Sequence, residues 1–165
     1  MNAIDIVSTV AALVAGYVVG SFPTAYLLTR RLKGVDIRTV GSRNPGDFNV
    51  FHIVGSWAGI TVLAVDALKG AATVLAIQAL NGHDAAIFAG ALGAVAGHNW
   101  PVFLSFRGGK GVAVIFGLSL AIIPLWTLGV VLAVGLATRS VVFAIAWGIV
   151  AVNVLTVATG QGQCK

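Results

Sequence analysis

Apolar residues fall along this chain in long unbroken runs, and the polar positions collect in a few narrow gaps between them. A helix needs about 20 mostly apolar residues to cross about 30 Å of hydrocarbon. The first run that fits extends from about Ile4 to Leu28 and stops at Thr29-Arg30-Arg31. A polar stretch, residues 30–49, follows and holds Arg30, Arg31, Lys33, Arg38 and Arg43. The second run covers about Ile53 to Leu80 and closes at Asn81-Gly82-His83-Asp84. The third covers about Ala85 to Phe106, is interrupted by His98-Asn99-Trp100-Pro101, and gives way to a polar loop over residues 106–111. From Val112 to Thr138 the chain is apolar throughout, with Pro124 near the middle, where proline kinks or ends a helix. One tilted span fits this stretch, but two shorter helices with a turn near Pro124 fit the charges better. A last run, about Val141 to Val157, precedes a short polar tail. The pattern predicts an all-α fold, a polytopic integral membrane helix bundle in one domain, 1–165, with about six transmembrane helices.

Composition strengthens that reading. Hydrophobic residues make up 58% of the chain, charged residues 9%, and the mean hydropathy is +0.98. A soluble domain carries about 25% charged residues to meet water, so lipid is the solvent this surface fits. Ten Lys and Arg against five acidic residues, all of them Asp, give a net charge of +5. In a soluble protein that excess would point to nucleic acid; here membrane topology and anionic ligands account for it, and the expected partner is the bilayer. The basic residues of 30–49, of 106–111 and Arg139 fall on one side, while Asn81–Asp84 and the Pro124 turn carry no Lys or Arg. The positive-inside rule makes the basic side cytoplasmic and, with six spans, puts both termini outside. The N-terminal run is not read as a cleavable signal, because its basic residues follow the apolar stretch. Cys164 is the only cysteine, which excludes an intramolecular disulfide framework and a Cys-based zinc site. No metal-ligand cluster, carboxylate pair or Ser-His-Asp arrangement is readable, so neither a metal nor a cofactor is expected.

The candidate chemistry lies in the polar gaps. In Gly41-Ser42-Arg43-Asn44-Pro45-Gly46-Asp47-Phe48-Asn49, short donors and backbone N–H groups suit an anion-binding nest, with charge from Arg38 and Arg43. An ordinary turn-rich connection has the same composition. In Arg107-Gly108-Gly109-Lys110-Gly111, glycines let the backbone approach a phosphate and the amides of the next helix point at it. It is not a Walker A loop, since Gly111 follows Lys110, nor a dinucleotide fingerprint. A plain positive-inside turn is the alternative. Asp66 and Lys69 lie three apart inside the second run, on one helix face; such charges serve function or form a structural pair. His98 is a possible base beside Asn99, although a lone His is more often a packing residue. His52 is the other imidazole on the basic side.

Taken in order, these segments resemble the bacterial acyl-phosphate:glycerol-3-phosphate acyltransferases. The resemblance rests on Gly20-Ser21-Phe22-Pro23-Thr24-Ala25-Tyr26-Leu27, Asp36-Ile37-Arg38, Gly41-Ser42-x-Asn44-x-Gly46-x-x-Asn49-Val50, Asp66-x-x-Lys69-Gly70, Gly97-His98-Asn99-Trp100-Pro101 and Arg107-Gly108-Gly109-Lys110-Gly111-Val112-Ala113. It implies a multi-pass enzyme of the bacterial inner membrane with a cytoplasmic active site. Such an enzyme moves an acyl group from acyl phosphate to glycerol 3-phosphate, giving lysophosphatidic acid and inorganic phosphate for phospholipid synthesis. The family's first motif supplies a catalytic Ser and a downstream Arg, and its glycine-rich second motif binds glycerol 3-phosphate. The resemblance therefore implies catalytic roles for Ser42, Asn44, His52 and Lys110. It implies substrate or phosphate contacts for Arg43, Gly46, Asn49, His98, Asn99, Arg107, Gly108, Gly109 and Gly111.

Three departures stand out. Asp47-Phe48 replaces the usual Ala-Thr, and His52 stands where the family has Arg. The family has seven spans and ends in a His-Arg-x-Asn-Ile…Arg…Gly…Glu motif, to which only Asn153 and Gly160 align. The expectation is that the seventh span and this third motif are missing. A catalytically inactive homologue that binds phosphate, lipid headgroups or a membrane partner is the alternative. A small transporter would suit Asp66 and Lys69, but paired discontinuous helices in two halves are lacking.

Overall fold

The computed structural model describes residues 2–122 and, further on, 129–130, 132–134 and 136–137. The chain divides into two units, Met1–Leu118 and Ser119–Lys165, and all the candidate site residues lie in the first. Among the described residues every regular element is helical: α1 Ala3–Gly20, α2 Thr24–Lys33, α3 Asp47–Ile53, α4 Ser56–Ala79, α5 Asp84–Asn99 and α6 Val112–Ile122. Short 3-10 turns stand at Ile37–Thr39 and Val102–Leu104. Three stretches, Ala3–Lys33, Ser56–Ala79 and Asp84–Leu104, are long and apolar enough to cross a membrane. The turn expected at Pro124, the side on which Arg139 falls, and the run 141–157 lie outside the described residues.

The structure corrects the boundaries where a backbone feature interrupts an apolar run. The first run is two helices, because Pro23 lacks an N–H and the chain turns at residues 21–23, with the Thr24 N–H bonded to the Phe22 carbonyl at 3.0 Å. Nor is Arg30–Lys33 loop; it is the last turn of α2, which closes on Gly34 at φ 71. Ile53 ends α3 and does not begin the second span, since Gly55 at φ 138 separates α3 from α4. The third run stops being α-helical at Asn99, ahead of Pro101.

Caps set the outer ends. Asn2 and Asp5 exchange backbone-to-side-chain bonds of 2.9 Å, a capping box that starts α1. His83 Nδ1 accepts the Ala86 N–H at 3.0 Å to start α5, which leaves Nε2 beside Ser8 Oγ at 3.3 Å and the Asp5 carbonyl at 3.2 Å. The turn between α4 and α5 is thereby tied to the first turn of α1.

Close backbone approach joins the helices. A Cβ at Gly93 would overlap the Leu13 carbonyl, and one at Gly97 would overlap that of Tyr17. Small residues at such crossings let helices in lipid gain van der Waals contact where no hydrophobic force drives them together. The outward faces carry large apolar side chains, among them Ile4, Val7, Val14, Leu68, Leu75, Phe88 and Leu92, all exposed. That surface belongs in hydrocarbon.

Candidate active site

Asn49 organises the first polar loop. It is buried, its amide donates to the carbonyls of Ile37 at 3.1 Å and Val40 at 3.0 Å, and its Oδ1 accepts the Ser42 N–H at 3.1 Å. Both amide donors are thus used inside the protein, so Asn49 shapes the loop that carries Ser42. The loop bends through left-handed conformations at Gly41, φ 57, and Arg43, φ 60, and a Cβ at Gly41 would overlap Asn49 Oδ1. Ser42 and Arg43 are exposed, Asn44 is half-buried, and Gly46 is buried where it leads into α3. Burial pushes the Asp47 carboxyl above the usual carboxylate range, and the Asp66 carboxylate adds to that.

Arg38 joins this loop to the second one. Its guanidinium meets both oxygens of Asp36, with Nη2 to Oδ2 at 2.7 Å, donates from Nη1 to the Leu104 carbonyl at 2.9 Å, and lies 5.2 Å from the centre of the Tyr26 ring. The Asp36 carboxyl is held below its ordinary range by the hydrogen bond from Arg38, and the Arg38 guanidinium is raised by the same pairing. Arg38 is a tie between loops and is not left over as a phosphate ligand.

The glycine loop folds back on the end of α5. Ser105 and Phe106 are left-handed at φ 52 and 62, after which the Gly108 N–H bonds the Asn99 carbonyl and the Gly109 N–H the His98 carbonyl, each at 3.1 Å. These two amides close the C-terminus of α5 and are not free for an anion. The N–H groups that remain for an anion belong to the first turn of α6, where the ladder begins with Ile115 N–H to the Gly111 carbonyl at 2.9 Å. Arg107 and Lys110 are exposed beside that turn. Gly111, at φ 75, packs against Asn99, whose Oδ1 is buried with no hydrogen-bond partner among the described residues.

Beneath both loops lies a charge cluster. Lys69 Nζ sits 2.6 Å from Asp66 Oδ1 and donates at 2.6 Å to the carbonyl of Phe22 in the break between α1 and α2. Thr24 Oγ1 donates to Asp66 Oδ1 at 3.1 Å, and His98 Nδ1 stands 3.9 Å from Asp66 Oδ2. Asp66 and Lys69 are only 2% and 7% exposed, so the carboxylate and ammonium need each other. A cavity of about 20 Å³ is bounded by residues 20–26, Pro45, Asp66, Lys69, His98, Pro101, Leu104, Gly108 and Gly109. That is room for about one water, so it can be no more than the floor of a site that takes a phosphate.

Of the residues expected from sequence, His98, Gly108, Gly109, Asp66 and Lys69 meet at this floor. Ser42, Arg43, Arg107 and Lys110 stand exposed on the two loops that flank it. His52 is not brought to it: the ring is exposed and packs edge-on against Phe48 and Phe51, with centroids 4.5 and 5.7 Å apart. Sequence reasoning gave no site role to Thr24, Tyr26 or Leu104. A threonine straight after a proline that breaks an apolar run was the available signal for Thr24.

Buried, mutually satisfied charges inside a lipid-facing helical shell define a polytopic integral membrane protein. A family model described as glycerol-3-phosphate acyltransferase matches residues 10–162, and the chain belongs to that family. It is 49% identical over 131 residues to glycerol-3-phosphate acyltransferase 2 of Moorella thermoacetica, covering 78% of this chain and 67% of that protein. Against glycerol-3-phosphate acyltransferase 2 of Dehalococcoides mccartyi it is 47% identical over 120 residues, covering 73% of this chain and 57% of the relative. The chain thus spans little more than half the length of several curated relatives. A crystal structure of PlsY (YgiH), an integral membrane glycerol 3-phosphate acyltransferase in its glycerol 3-phosphate form, superposes with a TM-score of 0.80 at 32% identity, covering 93% of this chain and 78% of that one. The lysophosphatidic acid form of PlsY gives 0.77 at 30% identity.

Proposed function

We propose that this chain is a membrane glycerol-3-phosphate acyltransferase that moves an acyl group from acyl phosphate to glycerol 3-phosphate at the cytoplasmic face of a bacterial inner membrane. The carrying observation is that two loops with exposed cations, Arg43 on one and Arg107 and Lys110 on the other, flank a single polar floor. Both substrates are phosphates, and the solved relative exists in glycerol 3-phosphate and lysophosphatidic acid forms.

The chemistry follows from those groups. Lys110, Arg107 and the first-turn amides of α6 hold phosphate charge, while Ser42 and Asn44 orient the glycerol hydroxyl and the acyl phosphate. The hydroxyl oxygen attacks the acyl carbonyl, the bond from acyl carbon to phosphate oxygen breaks, and inorganic phosphate leaves with its charge neutralised by the cations. With His52 turned away, the proton from the hydroxyl goes to a phosphate oxygen of the substrate. Asn49 acts through the position of Ser42. No nucleic acid, metal or cofactor enters the scheme.

His52, exposed where the family has Arg, favours a second reading: a homologue that binds phosphate or lipid headgroups without turnover. Purified protein in detergent or lipid mesophase, given acyl phosphate and glycerol 3-phosphate, separates the two. Release of inorganic phosphate with formation of lysophosphatidic acid supports the enzyme; tight glycerol 3-phosphate binding without release supports the alternative.

A further inference from the structure

The charge cluster is anchored at the break between α1 and α2. The Phe22 carbonyl, ahead of Pro23, accepts the Thr24 N–H at 3.0 Å and takes a second, charged donor from Lys69. Lys69 is held by Asp66, Asp66 also accepts from Thr24 at the start of α2, and its other oxygen faces the ring of His98. His98 in turn meets the glycine loop twice. Its carbonyl accepts the Gly109 N–H at 3.1 Å, and its Nε2 lies where a Cβ on Gly109 would stand. One carboxylate therefore connects the helix break on one side with the phosphate loop on the other.

We propose that Asp66 is a positioning residue which, with Lys69, Thr24 and His98, holds the glycine loop in the geometry that receives the phosphate of glycerol 3-phosphate. The inference rests on the function proposed above and adds to it a role for the buried charges beyond pairing with each other. At 3.9 Å the Asp66–His98 contact is too long for a direct hydrogen bond, so the coupling to the ring is electrostatic. The link from Asp66 to the start of α2, through Thr24, is a hydrogen bond at 3.1 Å.

A merely structural pair and a positioning unit differ in what their loss does. Removing both charges together, Asp66→Asn with Lys69→Met, leaves no orphaned charge, and Thr24→Val removes one hydrogen bond with the charge balance intact. Both variants and the wild type are taken in detergent micelles. Binding of glycerol 3-phosphate is titrated calorimetrically, and amide exchange at Gly108 and Gly109 is followed without substrate. The expected result is about tenfold weaker binding in the double variant, the lower end of what orienting partners cost when lost. A severalfold weakening is expected in Thr24→Val. In both, Gly108 and Gly109 exchange faster while the amides of α1 and mid-α5 keep their protection. Wild-type affinity and wild-type loop protection in a folded variant overturn the proposal, and Thr24→Val decides it should the double variant fail to fold. A wild-type chain that binds no glycerol 3-phosphate overturns the underlying function. The loop exchange, read in the same samples without substrate, tells that failure apart from failure of the positioning role.

Discussion

Arg38 donates from Nη1 to the carbonyl of Leu104 at 2.9 Å, across 66 positions of sequence, while its other nitrogens grip Asp36. One side chain thus fixes the turn after α2 against the turn after α5, and with them the two loops that carry the candidate cations. A forked guanidinium suits this task, because a lysine ammonium cannot meet both carboxylate oxygens and a carbonyl in one plane. Arg38→Lys is expected to lose about 1.5–3 kcal/mol of stability. Arg38→Ala should cost about the same or more. Thermal unfolding in detergent, compared with wild type, checks this; an unchanged midpoint for Arg38→Lys would show the fork to be dispensable.

Asp36 and Asp47 are displaced in opposite directions, and their effects on stability run oppositely with pH. Asp36 titrates lower in the folded chain than in the unfolded one, so its contribution is present above the unfolded value and is lost as pH falls through the folded value. Asp47 titrates higher when folded, so burial of its carboxylate costs stability above the folded value, a cost that vanishes below the unfolded value. Asp36→Asn should therefore destabilise at neutral pH and less so in acid. Asp47→Asn should stabilise at neutral pH and become neutral in acid. Melting midpoints of the two variants between about pH 3 and 7 test both signs.

Two glycine substitutions should separate packing from binding. Gly97→Ala drives a methyl into the Tyr17 carbonyl at the α1–α5 crossing and is expected to destabilise by about 1–3 kcal/mol. Gly109→Ala meets the His98 ring at the cavity floor and should weaken glycerol 3-phosphate binding at least about tenfold with a small change in melting. Equal effects of the two on both readouts would contradict the division.

Asn49→Ala leaves the carbonyls of Ile37 and Val40 and the N–H of Ser42 without their partner. A loss of about 2–3 kcal/mol is expected, with faster amide exchange at Ser42. If Asn49 instead touched substrate directly, stability would hold and only binding would suffer.

What the sequence made legible follows from the strength of each signal. Long apolar runs disclosed the membrane helices, and spacing alone put Asp66 and Lys69 on one face, where they do pair at 2.6 Å. The partners of that pair were not legible, since Thr24 and Phe22 lie 42 and 47 positions away and Pro23, which marks a break beside them, does not say what the break packs against. The break at Ser21–Pro23 was hidden because residues on both sides are apolar, although Pro23 was the clue. Asn49 read as a phosphate ligand because an amide that clasps a loop and one that binds an anion look alike in sequence. The close partner of Gly108 and Gly109 was not legible either: glycine permits close approach, and the sequence does not say that the end of α5 is what approaches.

The central claim is that the two cationic loops work on one phosphate-bearing reaction. Its most direct measurement is inorganic phosphate release by the purified chain given acyl phosphate and glycerol 3-phosphate, alongside Ser42→Ala and Lys110→Ala. The account predicts release dependent on glycerol 3-phosphate, accompanied by lysophosphatidic acid, and abolished in each variant. Folded wild-type protein that releases no phosphate, or variants that release it at the wild-type rate, would contradict it.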